Sequence, residues 1–437
     1  MSLQPARLPK APRDILHNLM DAALRAADPA VQIPHNMPDL PQGKTIVIGA
    51  GKASAHMARS FEQCWIKANG SDNIETRLGG LVVTRYGHAV PCTNIEIIEA
   101  AHPVPDEAGQ KAARRIFDIT HAAGPDDLIV CMISGGGSAL LALPATGITL
   151  KDKQAIGKAL LKSGATISEM NCVRKHLSAI KGGRLAMAGS KARMVTYLVS
   201  DVPGDDPAII ASGPTVADPT RQKDACAILE RYGIPVPGAV EKLLADPSFE
   251  TIKPDDACFA GNETIMLARP QDSLRAAAHI ATNLGLNPVI LGDAIEGESR
   301  EIAKMHAGIA RQVARHGQPA AKPCVLLSGG ETTVTVRGDG GRGGRNAEFM
   351  LSLLLQLRDD AGFAALAIDT DGIDGSEDNA GAIMDSNSWQ KARQRHIDLA
   401  DHLAHNDAYS AFEKLDDLIV TGPTLTNVND FRAILIF

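Results

Sequence analysis

The sequence predicts an α/β protein, and three observations lead to that class. Short apolar runs alternate with stretches of helical periodicity along the chain. Several of these runs end in glycine, as "KTIVIGAG" and "DLIVCMISGGG" do. Aromatic residues make up only 3% of the 437 residues, against 40 glycines, which suits helices packed closely on strands. We therefore expect mostly parallel sheets, with ligands at the carboxyl ends of their strands.

The predicted elements alternate between helix and strand along most of the chain. Residues 12–27 have apolar side chains at helical spacing, and four prolines follow them. In the first half, strands are predicted within "KTIVIG", "GLVVT", "IEIIEA", "DLIVCM" and "MVTYLVS", and a helical stretch over residues 151–188. In the second half, strands are predicted within "NPVILG", "KPCVLLSGG" and "AALAIDT".

The length of the chain allows two or three domains. Pro247, Pro254 and neighbouring charges are typical of a linker near residues 250–256. We therefore predict one domain over residues 12–253 and a second over residues 254–437. A strand that ends in Ser-Gly-Gly occurs once in each half, so two glycine-rich strand ends are expected to face each other across a cleft.

Charge and cysteine usage limit the partners and the compartment. The net charge is −7, so no basic stripe is available and we expect no nucleic-acid partner. No apolar run has membrane-spanning length, and the N-terminus has no apolar signal-peptide core, so no membrane partner is expected. Seven scattered cysteines without C-x-x-C pairs indicate free thiols in a reducing compartment. We expect a cytoplasmic protein, and a homodimer is left open.

The turn "GAGKAS" after the first strand matches nucleotide-binding motifs only in part. Ser54 stands at the third glycine of the dinucleotide fingerprint, and no acidic residue ends the next strand. A Walker A motif would need glycine where Pro38 or Ile46 stands. Gly51 and Lys52 then remain at a helix start, where backbone N–H groups favour anions. A surface lysine after an ordinary turn would fit the same residues.

A glycine-rich turn follows the run "DLIVCMI" and consists of Ser134, Gly135, Gly136, Gly137 and Ser138. A nucleophile elbow centred on Ser138 would need glycine at Leu140, and an oxyanion hole would need a positioned Ser–His pair. The glycines instead indicate an anion cradle, in which backbone N–H groups converge on phosphate or carboxylate oxygens. The pattern recurs in the second half at Ser328, Gly329 and Gly330.

Cations and carboxylates cluster at three further places. One or two members of a basic helical stretch are expected to contact an anion, although a solvated helix face also fits Arg174, Lys175, Lys181 and Arg184. Acidic loops end two strands and contain Asp201, Asp205, Asp206, Asp369, Asp371 and Asp374. Such aspartates hold Mg²⁺ through one or two carboxylates, with phosphate oxygens completing the coordination. Turn capping explains some of the six.

The stretch "RGDGGRGGRNAE" interleaves glycines with Arg342 and Arg345 before an apolar helix. A flexible loop that delivers a guanidinium to a phosphoryl group has this composition, and such an arginine contributes roughly 10³–10⁵ in rate. Glycine cradles, a lysine at a helix start, this arginine and carboxylates for a divalent cation together indicate phosphoryl transfer to a small hydroxyl compound. The kinase would use neither a Walker A motif nor the protein-kinase signatures.

Longer motifs occur in order along nearly the whole chain, among them "GAGKAS", "HPVPDEAG", "SGGGSALL", "IKGGRLA", "SDVPGDDP", "GNETIMLA", "LSGGETTVTV", "GGRNAE", "IDTDGIDG" and "TGPTLTNVND". Through these motifs the chain resembles the class II glycerate kinases, the family with a MOFRL C-terminal domain. The resemblance implies a Rossmann-like N-terminal domain and a smaller mixed α/β domain with its MOFRL region at about residues 322–432. It also implies an active site in the interdomain cleft.

The same resemblance implies ATP-dependent phosphorylation of D-glycerate to 2-phosphoglycerate with Mg²⁺ or another divalent cation. Lys52 and Arg345 would be the main catalytic cations, which neutralise the transferring phosphoryl group and the glycerate carboxylate. Asp201 or Asp371 would hold the metal, and one of these carboxylates or Glu331 would accept the hydroxyl proton. Phosphate and substrate contacts are predicted for Gly51, Ser134, Gly135, Gly136, Gly137, Ser138, Arg174, Lys175, Ser328, Gly329, Gly330 and Asn346.

Two other functions stay open on the sequence. Members of this family have also been labelled hydroxypyruvate reductases of tartrate degradation, which would use NADH or NADPH. The partial fingerprint over residues 49–54 gives that activity little support. A non-catalytic regulator that binds a sugar acid or a nucleotide would need no arginine on a mobile loop. The sequence does not determine whether the 2- or the 3-hydroxyl group is phosphorylated.

Overall fold

The computed structural model describes residues 8–70, 74–336, 340–358 and 360–437. The chain forms two compact units. The first unit is Pro29–Leu267, and the second joins the residues up to Asp28 to Ala268–Phe437. This division differs from the predicted boundary after residue 253, and it places residues 12–28 with the C-terminal part of the chain.

Helix α1 (Pro12–Ala27) comes before the first unit in the sequence but belongs to the second unit. The elements of the first unit are α2 (Pro29–Gln32), β1 (Thr45–Ala50), α3 (Ser54–Asn69), α4 (Ile74–Arg77), β2 (Leu78–Arg85), β3 (Ile95–Ala100), α5 (Glu107–Ala122), β4 (Leu128–Ile133), α6 (Gly137–Leu140), α7 (Leu150–Ser163), α8 (Ile167–His176), α9 (Arg184–Ala188), β5 (Arg193–Val199), α10 (Gln222–Arg231), α11 (Gly238–Leu244) and β6 (Glu263–Ala268).

The sheet of the first unit has the strand order β3-β2-β1-β4-β5-β6. Strands β1 to β5 pair in parallel, in register such that Ala50 lies beside Ile133. All six residues of β4 are buried, as expected for a central strand with helices on both faces. The prediction of a mostly parallel sheet is confirmed, and the carboxyl ends of β1 and β4 are neighbours at one edge.

The predicted helical stretch over residues 151–188 is divided into three helices. Gly164 ends α7 in the left-handed conformation at φ 80°. Thr166 then caps α8 by accepting from the Glu169 N–H, and the Glu169 side chain reaches back to the cap. A run of helical periodicity does not reveal such a break, because both helices direct apolar residues into the same core.

The elements of the second unit after α1 are α12 (Pro270–Asn283), β7 (Asn287–Gly292), β8 (Gly297–Glu298), α13 (Ser299–His316), β9 (Cys324–Gly330), β10 (Thr332–Thr333), α14 (Arg345–Leu357), β11 (Phe363–Asp369), β12 (Gly381–Met384), α15 (Ser388–Gln394), α16 (Leu399–Ala404), α17 (Ala408–Leu415), β13 (Leu418–Ile419) and β14 (Asp430–Ile436). Its main sheet has the order β13-β12-β11-β14-β9-β7. Only β7 and β9 pair in parallel in this sheet, so it is mixed.

Helix α1 joins the second unit through its apolar face. Ile15, Leu16 and Leu19 are fully buried in one core with Leu274 and Ala277 of α12. The Ser273 hydroxyl group also donates to the backbone oxygen of Ala23 at 2.8 Å. Sequence order alone suggested the opposite assignment, because the next predicted elements after this helix belong to the first unit.

Two further observations concern the lengths of the apolar helices and the state of the cysteines. Within the described ranges, no helix is long and apolar enough to cross a membrane. The seven cysteines are all free thiols, four of them buried, which confirms the predicted absence of a disulfide framework. Burial raises the pKa of Cys324 to about 11, which favours the protonated thiol over the thiolate at neutral pH.

Candidate active site

The two glycine-containing turns of the first unit, after β1 and after β4, pack directly on each other. The backbone N–H of Lys52 donates to the Gly135 oxygen at 2.8 Å. A side chain at Gly51, whose φ is 151°, would lie 2.1 Å from the Ser134 hydroxyl oxygen. Glycine is therefore required at position 51 so that the turns can touch.

Ser134 joins these turns and is fully buried. Its hydroxyl oxygen accepts from the Ala53 N–H at 3.0 Å and lies 3.3 Å from the Ser54 hydroxyl oxygen. Ser54 in turn donates to the Met132 oxygen at 3.0 Å. Ser134 thus has a structural role, which differs from its predicted contact with phosphate.

Gly136 brings Lys52 close to a histidine that we did not predict. Gly136 is left-handed at φ 80°, and a Cβ atom there would lie 3.0 Å from the Cδ2 and Nε2 atoms of His102. The same position is 3.5 Å from Cγ of Lys52. His102 and Lys52 are both half-buried, so the glycine turn carries an imidazole and an ammonium side chain. The position of His102 after β3, in "HPVP", was a usable signal because that strand ends at the ligand edge.

Ser138 belongs to a second polar group behind the turn. Its hydroxyl oxygen lies 2.9 Å from that of Ser212, which donates to Asn171 at 3.1 Å. The Lys181 ammonium donates to the Ala211 oxygen at 2.9 Å and lies 3.4 Å from the Ser138 hydroxyl oxygen. Ala211 and Ser212 have positive φ angles of 51° and 62°, a strained backbone that clusters at functional sites.

The basic residues predicted to contact anions have different surroundings. Lys175 is buried and forms an ion pair with Asp218 at 3.0 Å, so its charge is already matched inside the unit. Burial raises the pKa of Asp218, but Lys175 and hydrogen bonds from Thr220 outweigh this effect and lower it. Arg174 is half-buried, and burial lowers its pKa. Arg174 therefore remains a candidate anion contact, whereas Lys175 does not.

Asp201 lies in the loop after β5, the strand next to β4, and is half-buried. Among its acidic neighbours, Asp206 accepts from the Ala208 N–H at 2.9 Å and so caps a turn. The turn-capping interpretation therefore holds for Asp206, whereas Asp201 remains the predicted metal ligand of this loop and no turn-capping bond is seen for the Asp205 side chain within the described residues.

The predicted glycine cradle of the second unit is wrong as a turn, because β9 continues through Gly330. Ser328 is buried and its hydroxyl oxygen lies 2.9 Å from Nε2 of His306. A side chain at Gly330, where φ is 119°, would overlap the Ile295 backbone at 2.2 Å. The glycines here make room for the neighbouring backbone, not for a ligand.

Arg345 is the first residue of α14 and is held by three carboxylates. It contacts Asp430 at 2.7 Å, Asp369 at 2.8 Å and Glu331 at 3.2 Å. Burial alone would lower the pKa of Arg345, but these carboxylates outweigh it and raise the pKa. The prediction of a freely mobile arginine is therefore wrong. Of the preceding glycine-rich segment, Gly338 lies outside the described residues.

A buried polar network supports Arg345 from behind. Asp430 also pairs with Arg432 and accepts from the Asn346 side chain at 2.7 Å. Asp374 accepts from the backbone N–H groups of Asn346 and Ala347 at 2.9 and 2.7 Å, which caps α14. Burial raises the pKa of Asp374 to about 6. Asn346 is thus a buried structural residue, not the predicted ligand contact.

Asp371 is buried and accepts from the Ile373 N–H at 2.9 Å. The described residues contain no group of three or more histidine, cysteine, aspartate or glutamate side chains arranged to hold a metal. A Mg²⁺ ion that binds through one carboxylate plus substrate phosphates needs no such group. The metal roles of Asp201 and Asp371 stay predictions.

A cavity of about 260 Å³ in the second unit lies beside Arg345 and is lined by residues that include Thr332, Gly344, Glu348, Gly375 and Asn406. The Glu348 carboxylate is paired with Arg300 at 2.8 Å. The lining combines polar and charged side chains with Val334 and Val336, so it does not favour one kind of ligand.

In α/β proteins, glycine-rich turns and charged groups at strand ends are where small anionic ligands commonly bind. Comparison with known sequences gives the particular family. Residues 15–245 match a domain of unknown function, DUF4147, and residues 324–430 match the MOFRL family. The second match lies within the predicted MOFRL region.

Three relatives show what the whole chain is similar to. A chain from Agrobacterium vitis, provisionally named hydroxypyruvate reductase, is 52% identical over 97% of this chain and 94% of its own length. A glycerate 2-kinase from Pyrococcus horikoshii is 39% identical over 95% of this chain and 96% of its own length. The crystal structure of a glycerate kinase from Thermotoga maritima has a TM-score of 0.87 and 35% identity, and covers 98% of this chain and 100% of its own. The chain belongs to the glycerate kinase family with a MOFRL domain.

Proposed function

We propose that the protein transfers the γ-phosphoryl group of ATP to the 2-hydroxyl group of D-glycerate. Its family membership makes it an enzyme and a kinase that phosphorylates glycerate. The observation that carries the proposal is the pair of joined turns after β1 and β4, which places Lys52 beside the Gly136 backbone. Phosphoryl transfer depends on positioning and charge neutralisation, and this arrangement supplies both.

In the first unit, the proposal gives roles to Lys52, to the Gly135 and Gly136 backbone and to Asp201. Lys52 neutralises the transferring phosphoryl group, because its ammonium is carried on a half-buried stem at the ligand edge of the sheet. The Gly135 and Gly136 backbone lets phosphate oxygens approach closely, since side chains at these positions are absent. Asp201 would hold the divalent cation, which would supply positive charge against the phosphate oxygens.

In the second unit, Arg345 and Glu331 act together. Glu331 is exposed and lies 3.2 Å from an Arg345 nitrogen, so the guanidinium fixes the carboxylate in place. Asp371 is buried and its side chain is part of a turn, which leaves Glu331 as the better candidate to accept the hydroxyl proton. Because three carboxylates already match the charge of Arg345, its part in this proposal is to hold Glu331 in place and not to neutralise the substrate.

The experiment is a pair of assays on the purified protein. With ATP, Mg²⁺ and D-glycerate we expect ADP, and phosphorus NMR should identify 2-phosphoglycerate as the product. With hydroxypyruvate and NADH or NADPH we expect no nicotinamide oxidation. Nicotinamide oxidation without ADP formation would contradict the kinase proposal, and 3-phosphoglycerate would contradict the regiochemistry alone.

The reductase alternative rests on the name of the Agrobacterium vitis relatives. The turn after β1 does not favour it, because Ser54 occupies the third glycine position and is buried against Met132. In addition, β2 ends at Arg85, where a dinucleotide fold usually has an acidic residue for the ribose hydroxyl groups. We also propose a cytoplasmic location, which the free thiols support.

A further inference from the structure

Lys153 on α7 has a feature that the roles above do not use. Its ammonium nitrogen is buried and has no hydrogen-bond partner within the part of the chain that the structure describes. Burial, with repulsion from Arg174 and Arg184, lowers the pKa of Lys153 to about 7. Burying a cation without a partner is costly, so a fold keeps such a group only where something else compensates.

Lys181 is a second buried cation in the same group. Only 2% of it is exposed, and its nitrogen contacts the Ala211 and Ser138 oxygens described above. Burial, then repulsion from Lys153 and Arg174, lowers its pKa well below the usual range. These contacts are to neutral oxygens, so neither lysine has a carboxylate partner among the described residues.

Two carboxylates of this region already have cation partners, and the Oδ2 atom of Asp218 is buried with no hydrogen-bond partner among the described residues. Asp218 pairs with Lys175 at 3.0 Å. Glu250 pairs with Lys253 at 3.0 Å and lies 2.9 Å from Nε2 of His176. The group formed by Lys153, Arg174 and Lys181 therefore has excess positive charge.

Ser138 connects this charge to the glycine turn. It is half-buried, and its hydroxyl oxygen is 3.4 Å from the Lys181 nitrogen. The hydroxyl group of Ser212, held by a left-handed backbone, fixes Ser138 from the other side at 2.9 Å. Lysine has four rotatable side-chain bonds, so the Lys153 ammonium can extend toward an arriving anion.

We propose that Lys153 and Lys181, with Ser138, form an oxyanion subsite for a carboxylate or phosphoryl group of a small ligand bound at the glycine turn. The assignment of that group to the carboxylate of D-glycerate rests on the proposed function. The subsite itself rests on the buried, uncompensated positive charge. An oxyanion supplies the missing charge and accepts hydrogen bonds from all three side chains.

The first test compares Lys153→Met with Lys158→Met, an exposed lysine on the same helix. Calorimetric titration of the full chain uses D-lactate, which has the carboxylate but no 3-hydroxyl group, and inorganic phosphate as separate probes. We expect Lys153→Met to weaken the anion that binds by about tenfold or more, because an opposite charge is lost, and Lys158→Met to change nothing. The probe that binds more tightly shows whether the subsite takes a carboxylate, as in D-lactate, or a phosphoryl group, as in phosphate.

Stability separates binding from structure. Removal of a buried, unpartnered charge should raise the unfolding temperature of Lys153→Met by about 2 °C or more, while the affinity falls. The pKa of Lys153 is lower in the folded than in the unfolded protein, so its charge destabilises the folded parent most below pH 7. The stability difference between Lys153→Met and the parent should therefore be largest below pH 7 and shrink toward pH 10. A variant that is more stable but binds both anions as tightly as the parent overturns the proposal, as does a parent that binds neither.

Proton uptake gives a second readout. An anion beside Lys153 raises its pKa, so binding at pH 8 should take up part of a proton, measured by titration in two buffers of different ionisation enthalpy. Lys153→Met should abolish the uptake, and equal uptake by parent and variant would contradict the assignment.

Kinetics separate this inference from the proposed function. For an active kinase, Lys153→Met and Lys181→Met should raise only one of the two KM values. The KM for D-glycerate rises if the subsite takes the carboxylate, and the KM for ATP rises if it takes a phosphoryl group. Unchanged values of both constants overturn the subsite while the kinase assignment stands. If no glycerate is phosphorylated at all, the proposed function fails and the D-lactate and phosphate titrations still decide the subsite.

Discussion

Lys52 and Arg345, the two cations predicted to be catalytic, have contrasting surroundings. Lys52 extends from a turn whose backbone is fixed by the Gly135 oxygen, on the ligand edge of a parallel sheet. Arg345 is surrounded by Asp369, Asp430 and Glu331, so most of its charge is matched before any ligand arrives. The same residue type in a sequence motif can therefore serve catalysis or hold a site together, and only the neighbours distinguish the two.

Replacing Lys52 tests the catalytic cation directly. Lys52→Ala should lower kcat by about 10² or more, because positive charge beside a transferring phosphoryl group acts mainly on the transition state. Steady-state kinetics with saturating ATP and D-glycerate measure this, and Lys67→Ala, exposed on α3, is the matched control. Near-normal turnover in Lys52→Ala would remove this residue from the proposed mechanism.

Replacing Arg345 tests its structural role. Arg345→Ala leaves the buried Asp430 and Asp369 with less positive charge nearby, so the free energy of unfolding should fall by about 3 kcal/mol. Urea denaturation measures the change, and Arg342→Ala is the control because its pairs with Glu377 and Glu413 are exposed and contribute about 0–1 kcal/mol. Loss of turnover at unchanged stability would instead support the purely catalytic role that the sequence suggested.

At the scale of elements, two similar sequences form different structures. "SGGGS" leaves β4 and turns into α6, whereas "SGG" stays inside β9 and pairs with β14. The difference comes from the neighbours: Gly136 faces His102 and Lys52, and Gly330 faces the Ile295 backbone. A glycine run shows where the chain passes close to something, but not whether that is a ligand or another strand.

Gly136→Ala tests the turn. The residue is left-handed and an added Cβ would meet the His102 ring at 3.0 Å, so we expect a loss of about 1–2 kcal/mol in unfolding free energy and reduced turnover. Gly157→Ala in α7 has open space around its Cβ position and should instead stabilise the protein by up to about 1 kcal/mol. Thermal and chemical denaturation compare the pair, and an equal response of both variants would contradict the strained-turn interpretation.

At the scale of the whole molecule, the second unit is built from both ends of the chain. Helix α1 supplies apolar side chains to a core otherwise formed by residues after 268. The chain must therefore complete its C-terminal half before α1 has its partners, a long-range requirement that slows folding.

Leu19→Ala tests this organisation. Leu19 is fully buried, so its truncation should cost about 2–5 kcal/mol, whereas Asp21→Ala on the exposed face of α1 should stay within about 0.5 kcal/mol. Hydrogen exchange locates the effect: faster exchange is expected in α12 and β14, and not in β1. Equal acceleration in β1 would show that α1 does not belong to the second unit alone.

The fold was predictable where local patterns sufficed. Apolar runs located the central strands, and helical periodicity gave α1 its observed limits of Pro12 and Ala27. The break at Gly164 was missed because one left-handed residue ends a helix without interrupting the apolar pattern. At the site, Lys52 and Ser138 were recognised from glycines beside them, whereas Lys153 and Asp430 lack such a local signal and depend on residues far away in sequence.

The sequence by itself determined the α/β class, the parallel sheet, the glycine turns and the resemblance to glycerate kinases, because periodicity and motifs are local properties. Only the tertiary structure decided which charges are matched and which are not. Lys175 meets Asp218 across 43 residues, and Arg345 meets Asp430 across 85, whereas Lys153 meets no partner within the described chain. Coulomb interactions and burial act through space, so the chemistry of these cations follows from the fold and not from their order in the chain.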